Sequence, residues 1–82
     1  MDDSQIMKEL TDIFIEVFDD EGIMLSRITC AKDIADWDSL AQIILLSEIQ
    51  KRFKISFTVQ EIAKLQNVGE MADLIIEKLE RQ

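Results

Sequence analysis

The residues of this 82-residue chain that are best placed to do chemistry are Ser39 and its neighbours. The stretch DIADWDSLAQIILLSEIQKRF, residues 33–53, places Ser39 between Asp38 and Leu40 at the start of a long apolar run. A serine nucleophile needs a general base to take its proton. The chain contains no histidine, and the nearby Lys32 is surrounded by acids. This composition argues against a serine hydrolase.

Two other roles remain open for Ser39. Serine and aspartate often cap the start of a helix, because the side-chain oxygen accepts a backbone N–H. A serine there could also accept a covalent modification, since the free N–H groups and the positive end of the helix dipole favour a phosphodiester. Asp36 and Asp38 would repel phosphate, but they could help hold a divalent cation while another enzyme installs the group. That enzyme would supply the base that this chain lacks.

Length, charge and cysteine content limit the classes of protein. We expect one domain over residues 1–82. The net charge of −8 argues against nucleic acid as a partner and favours a partner with a basic face. Cys30 is the one cysteine, so no internal disulfide is possible and a reducing compartment fits. The acidic start MDDSQ lacks the basic residues of a signal peptide, and the apolar run IILL is too short to span a membrane. We therefore expect a cytoplasmic protein.

The pattern of apolar residues predicts an all-α fold. The chain has no proline and two glycines, which favours helices. Apolar residues at spacings of three and four predict a first helix from Ser4 to Phe18, with Gly22 as a left-handed stop or a turn. Residues 23–37 form a long loop whose apolar members should be partly buried. These members are Ile23, Leu25, Ile28 and Ile34.

Three more helices follow the loop. The second is predicted from Asp38 or Ser39 to Phe53 or Lys54. Capping boxes then predict a short helix and a last helix, the first box formed by Thr58 and Glu61 and the second by Asn67 and Glu70. The last helix has an inner face of Val68, Met71, Ala72, Ile75 and Leu79. The chain is thus predicted to be a four-helix bundle with a long loop between helices one and two and a short third helix.

The second helix has two faces that differ in character. A helical wheel places a core stripe on one side, formed by Ile43, Leu45, Leu46, Ile49 and Phe53. Leu40 and Ile44 fall on the other side, in line with Ser47 and Lys51. Either the loop or the short helix covers this patch, or the patch is a docking surface for a partner. Trp37 either packs over the apolar residues of the loop, or it shields a group attached to Ser39 or fixes the loop against helix two.

The whole pattern resembles the acyl carrier proteins. Asp38, Ser39 and Leu40 match the Asp-Ser-Leu motif of that family, and ADWDSL is similar to its tryptophan-containing variant. The resemblance covers nearly the whole chain. It includes the first helix, the loop with KDIADW, the second helix, and the stretch ISFTVQEIAKLQNVGEMADLI, which is similar to the family's third and fourth helices.

The resemblance implies a role for each residue of the motif. Ser39 would be the attachment point of 4'-phosphopantetheine, transferred from coenzyme A by a phosphopantetheinyl transferase, and the chain itself would not be an enzyme. The thiol of the arm would carry acyl or aminoacyl groups as thioesters.

The resemblance also implies roles for the residues around Ser39. Asp38 would assist the modification through metal or transferase contacts, although we predict no resident metal. Leu40 would lie beside the arm and contact partners, together with Ile44, Ser47, Glu48 and Lys51. The core around Ile43, Leu46, Phe53, Ile62 and Ile75 would either be filled or admit an acyl chain.

The charge of helix two departs from the family pattern. Carriers of fatty acid synthesis usually have a dense run of acids there, whereas this helix has only Glu48, followed by Lys51, Arg52 and Lys54. A specialised carrier with its own partner set is therefore expected, in fatty acid, polyketide, aminoacyl or cell-envelope biosynthesis.

The partners of this carrier would be the phosphopantetheinyl transferase, a loading ligase and synthase or transferase enzymes, and we expect the carrier to be a monomer. The alternative function is an unmodified helical adaptor that binds a partner through Leu40 and Ile44.

Overall fold

Four α-helices make up most of the computed structural model, which describes residues 2–81. The helices are α1 (Asp3–Phe18), α2 (Ser39–Phe53), α3 (Val59–Ala63) and α4 (Val68–Glu80), with a single 3-10 turn at Ala31–Asp33. No strand occurs within residues 2–81. The predicted all-α fold with a long first loop and a short third helix is therefore confirmed. None of the helices in this range is long and apolar enough to cross a bilayer.

The core lies where α1 packs against both α2 and α4. Its buried apolar side chains come from α1 (Ile6, Leu10, Ile13, Phe14), α2 (Leu45, Leu46, Ile49, Phe53), the segment after α2 (Ile55) and α4 (Val68, Met71, Ala72, Ile75). Leu79 packs against this cluster and is partly buried. The inner face predicted for the last helix is therefore confirmed.

The assignment of Ile43 to the core stripe of α2 is wrong. Ile43 is 66% exposed, whereas Leu45, Leu46 and Ile49 are buried. At about 100° per residue, Ile43 lies about 100° from the centre of the buried arc. It therefore falls at the edge of the stripe, where the neighbouring helices do not reach.

Side-chain caps define the starts of the helices. Thr58 and Glu61 form the predicted capping box of α3, with the Thr58 N–H donating to Glu61 at 2.8 Å and the Glu61 N–H donating to Thr58 Oγ1 at 3.1 Å. Asn67 caps α4 by accepting the Glu70 N–H at 2.8 Å. The second predicted box is only half formed, because the Glu70 carboxylate accepts instead from the Gln66 N–H at 2.9 Å.

The first helix ends at a left-handed residue, but that residue is not Gly22. Asp19, directly after Phe18, has φ 50°, and neither glycine has a positive φ. A left-handed stop must follow the last helical residue immediately, and aspartate tolerates this conformation better than most side chains. Gly22 lies three residues too late to end the helix, but it lies in a turn, which is the other role predicted for it.

The long loop, residues 19–38, is hydrogen-bonded to the start of α4. The carbonyls of Arg27 and Thr29 accept the N–H groups of Gly69 at 2.7 Å and Val68 at 2.8 Å. These two N–H groups belong to the first turn of α4, which has no partners within its own helix. The loop therefore completes the helix end while the helix holds the loop in place.

The Arg27 side chain adds a second anchor for the loop. Its guanidinium contacts Asp3 of α1 at 2.9 Å and Asp73 of α4 at 2.8 Å. The predicted partial burial of the loop's apolar residues holds for Ile23, Leu25 and Ile34, but Ile28 is 81% exposed. The loop is therefore held in place by Arg27 while at least one of its apolar side chains, that of Ile28, is exposed to solvent.

Candidate functional site

Ser39 is the first residue of α2, and it is not the cap of that helix. Asp38 is the N-cap, with its Oδ1 accepting the Ala41 N–H at 2.8 Å. Ser39 is exposed, and within residues 2–81 its hydroxyl makes no hydrogen bond. The capping role left open for Ser39 therefore belongs to its neighbour. The hydroxyl is free to meet another molecule.

Trp37 holds the segment before Ser39 against two helices. Its ring packs edge-on against Phe14 of α1, with centroids 5.1 Å apart, and contacts Phe18 at 6.3 Å. The indole N–H donates to the side-chain oxygen of Gln42, one turn into α2. These contacts support the interpretation in which Trp37 fixes the loop against helix two, with its ring on α1 and its N–H bonded to α2. They also fix the direction in which the chain enters α2.

A groove of about 340 Å³ opens beside Ser39. Trp37, Ser39 and Gln42 form one side, and the segment between α3 and α4 forms the other with Leu65 and Asn67. The lining combines apolar side chains with carboxamides. The groove is therefore suited to a flexible chain that has both apolar and amide parts.

The patch on the outer side of α2 is exposed to solvent, as a docking surface for a partner would have to be. Leu40 is 66% exposed and Ile44 is 46% exposed. Ser47 and Lys51 are exposed along the same line, and the Lys51 ammonium lies 3.8 Å from the carboxylate of half-buried Glu48. The interpretation in which the loop or the short helix covers Leu40 and Ile44 is wrong. The patch is available to a partner.

A second groove, of about 570 Å³, runs between α2 and the segment that leads into α3. Ile43, Leu46, Ile55 and Ile62 contribute its apolar lining. Ile43 therefore lines a surface groove rather than the core. Ile75, which was grouped with it in the sequence, is fully buried.

The acids near Ser39 do not assemble into a metal centre. Across residues 2–81, no three histidine, cysteine, aspartate or glutamate side chains lie close enough together to hold a metal ion. The Asp38 carboxylate is engaged in capping α2. Cys30 is a free, half-buried thiol, as expected for a chain with one cysteine.

Sequence reasoning missed the part that Gln42 plays. Gln42 receives the Trp37 indole N–H and lines both grooves, the one beside Ser39 and the one between α2 and α3. The available signal was a tryptophan just before a helix with a polar acceptor five residues later. That spacing brings the two side chains together across the first turn.

The site agrees with what comparisons with known proteins find. The family model described as the phosphopantetheine attachment site matches residues 8–75. A solved structure that resembles the chain is the solution NMR structure of a holo acyl carrier protein from Geobacter metallireducens. It is 47% identical, with a TM-score of 0.87, and the match covers 92% of this chain and 86% of that one. No curated protein matches the sequence.

Proposed function

The chain belongs to the acyl carrier protein family, and on that premise we propose that Ser39 is the residue that bears its 4'-phosphopantetheine. The protein is a non-catalytic carrier, and a phosphopantetheinyl transferase attaches the group covalently. When bound, the group supplies a thiol that holds cargo as a thioester. Ser39, Asp38 and Leu40 are the residues that we assign to the attachment site.

The observation that supports this proposal most directly is that the Ser39 hydroxyl is exposed and makes no hydrogen bond in the described part of the chain. Asp38 caps α2, so the hydroxyl is exposed and free of hydrogen bonds within residues 2–81. A phosphodiester at the first helical residue lies next to free N–H groups and the positive end of the helix dipole. The adjoining groove, with its apolar and amide lining, suits the dimethyl and amide parts of the pantetheine arm. The residues present therefore fit the group.

The attachment chemistry needs no base from this chain. In the transfer, the Ser39 oxygen forms a bond to the phosphorus that carries pantetheine, and the bond from that phosphorus to the bridging oxygen of coenzyme A breaks. Adenosine 3',5'-bisphosphate leaves, and the serine proton passes to a base of the transferase. Because the transferase supplies the base, Ser39 can be modified in a chain that contains no histidine.

The exposed surface of α2 is the part of the carrier that we propose for docking of partner enzymes. Leu40 and Ile44 provide an apolar contact, with Ser47, Glu48 and Lys51 beside them. Over α2 the sequence has one acid and two bases. Enzymes with a basic groove tuned to an acidic helix gain little attraction from this surface. We therefore propose a specialised acyl or aminoacyl carrier, working as a monomer with its own loading ligase and synthase or transferase enzymes.

Intact-mass measurement tests the assignment of Ser39. Purified protein is incubated with coenzyme A, Mg²⁺ and a broad-specificity phosphopantetheinyl transferase. The wild type should gain the mass of one phosphopantetheine, and Ser39→Ala should gain none. Ser4→Ala, which changes an exposed serine at the start of α1, is the matched control and should gain the same mass as the wild type. Equal modification of Ser39→Ala would refute the assignment, and no modification of any protein would favour the unmodified adaptor.

A further inference from the structure

The long loop presents two apolar side chains that the fold does not use. Met24 is 90% exposed and Ile28 is 81% exposed, more than either apolar residue of the α2 patch. Both line one groove of about 430 Å³, called here the loop groove, which lies between the end of α1 and residues 22–36. Its half-buried floor includes Phe18 and Ile34. Two large apolar side chains held over one groove indicate a contact surface.

The rim of the loop groove is acidic. Asp20, Asp33 and Asp36 line it, and no lysine or arginine does so among the described residues. Arg27, in the same loop, is turned away because its guanidinium is held by carboxylates of α1 and α4. The carboxylates of Asp20 and Asp33 accept the backbone N–H groups of Gly22 and Cys30. The groove therefore combines apolar walls with negative charge that no cationic side chain of its described lining neutralises.

The charge of the loop is opposite in sign to that of α2. Residues 19–38 contain six carboxylates and two cationic side chains, whereas α2 contains one carboxylate and two cationic side chains. Half of the net charge of −8 therefore resides in the loop. A positively charged protein that approaches this carrier is drawn toward the loop rather than toward α2, whose two cationic side chains are already paired with Glu48, Glu9 and Glu16.

The loop groove also lies close to the attachment site. Asp36 lines it and precedes Ser39 by three residues. Trp37 fixes the intervening segment to α1 and α2 through its ring contacts and its hydrogen bond. Three residues of chain span at most about 11 Å, so a protein that reaches the Ser39 hydroxyl comes within that distance of the Asp36 end of the groove.

We propose that the loop groove is the docking site for a basic face of the phosphopantetheinyl transferase that modifies this carrier. An apolar side chain of the transferase packs between Met24 and Ile28, and lysine or arginine side chains around it meet Asp20, Asp33 and Asp36. The inference rests on the proposed function, because it requires Ser39 to be the acceptor. It adds the surface by which that transferase is recognised.

Steady-state kinetics of modification test this inference. The unmodified protein is varied against the transferase of the same cell, with coenzyme A and Mg²⁺. The double variant Met24→Ser/Ile28→Ser should raise KM about tenfold and leave kcat unchanged, because the lost contacts are made equally before and during transfer. The matched control is Val59→Ser, which removes an apolar side chain that is 83% exposed at the start of α3. It should leave both constants unchanged.

A charge variant and a salt series complete the test. Asp36→Asn removes a rim charge and should raise KM about two- to threefold at low salt, with a smaller effect in high salt because ions screen the interaction. An unchanged KM for Met24→Ser/Ile28→Ser, or an equal rise for Val59→Ser, would overturn the docking assignment while Ser39 remained the acceptor. If the wild type gained no phosphopantetheine, or if Ser39→Ala still did, the proposed function itself would fail.

Discussion

Replacing Gly69 by alanine should destabilise the protein, against the usual effect of this change in a helix. Alanine is normally favoured over glycine inside a helix by about 0.5–1 kcal/mol. Gly69 lies in the first turn of α4, where a Cβ would stand 2.7 Å from the carbonyl oxygen of Arg27 and 3.0 Å from its Cβ. The nearest of these is a backbone atom, so no side-chain rotation can relieve the contact. The loop must move away from the helix.

The expected size of the effect follows from three contributions. Forcing extra volume into a close contact costs about 1–3 kcal/mol. Moving the loop also weakens the 2.7 Å hydrogen bond from the Gly69 N–H to the Arg27 carbonyl, which costs about 0.5–1.5 kcal/mol. Subtracting the gain in helix propensity leaves a loss of about 0.5–4 kcal/mol in the free energy of unfolding, with a central value of about 2 kcal/mol. In a domain of this size a central loss of about 2 kcal/mol should lower the melting temperature by roughly 8–16 °C.

Urea denaturation followed by the fluorescence of Trp37 measures the change. Gly22→Ala is the matched control, because a Cβ there meets only the Asp20 side chain at 3.3 Å and Gly22 has no positive φ. Its free energy of unfolding should stay within about 0.5 kcal/mol of the wild type. A Gly69→Ala protein as stable as the wild type, or more stable, would show that the loop does not press on α4 as described.

Two further predictions concern the Trp37–Gln42 hydrogen bond and the ionisation of Glu61. Trp37→Phe keeps a ring against α1 but removes the N–H that Gln42 accepts. The free energy of unfolding, measured by circular dichroism in urea, should fall by about 0.5–1.5 kcal/mol. Adding Gln42→Leu to this variant should lower it little further, because the hydrogen bond is already lost. Additive losses would argue against that bond. The hydrogen bond from the Lys78 ammonium, and after it the one from the Thr58 N–H, lower the pKa of Glu61 from its ordinary value. Ionised Glu61 therefore adds stability at neutral pH that is lost as the pH falls through this depressed pKa. The melting temperatures of wild type and Glu61→Gln should therefore differ at neutral pH and converge in acid, once Glu61 is protonated in the folded state. A gap that does not change with pH would contradict this.

Most of the fold follows from patterns that are local in the sequence. The apolar spacing of α1 and α4 and the Thr58–Glu61 capping box are set within one or two helical turns, so they can be predicted without knowledge of packing. The errors arose where packing decides the outcome. Ile43 lies at the edge of the apolar stripe of α2, and only the positions of the neighbouring elements determine that it lines a groove.

The path of the loop between α1 and α2 could not be predicted from the sequence. Its course depends on hydrogen bonds between Arg27 or Thr29 and the start of α4, some forty residues away in the chain. No local pattern indicates such a pairing. Consequently the exposure of Met24 and Ile28, on which the docking proposal depends, could be found only from the structure.

The order of the two residues at the start of α2 has a physical consequence for the proposed site. A cap must use its side-chain oxygen to accept a backbone N–H, so a serine in that position has a hydroxyl held inward. With Asp38 as the cap, the carboxylate takes the Ala41 N–H and Ser39 moves into the first turn with its oxygen facing solvent. The hydroxyl keeps the favourable field of the helix end without being used to terminate the helix. An aspartate directly before the serine thus stabilises the helix start and leaves the serine available for attachment.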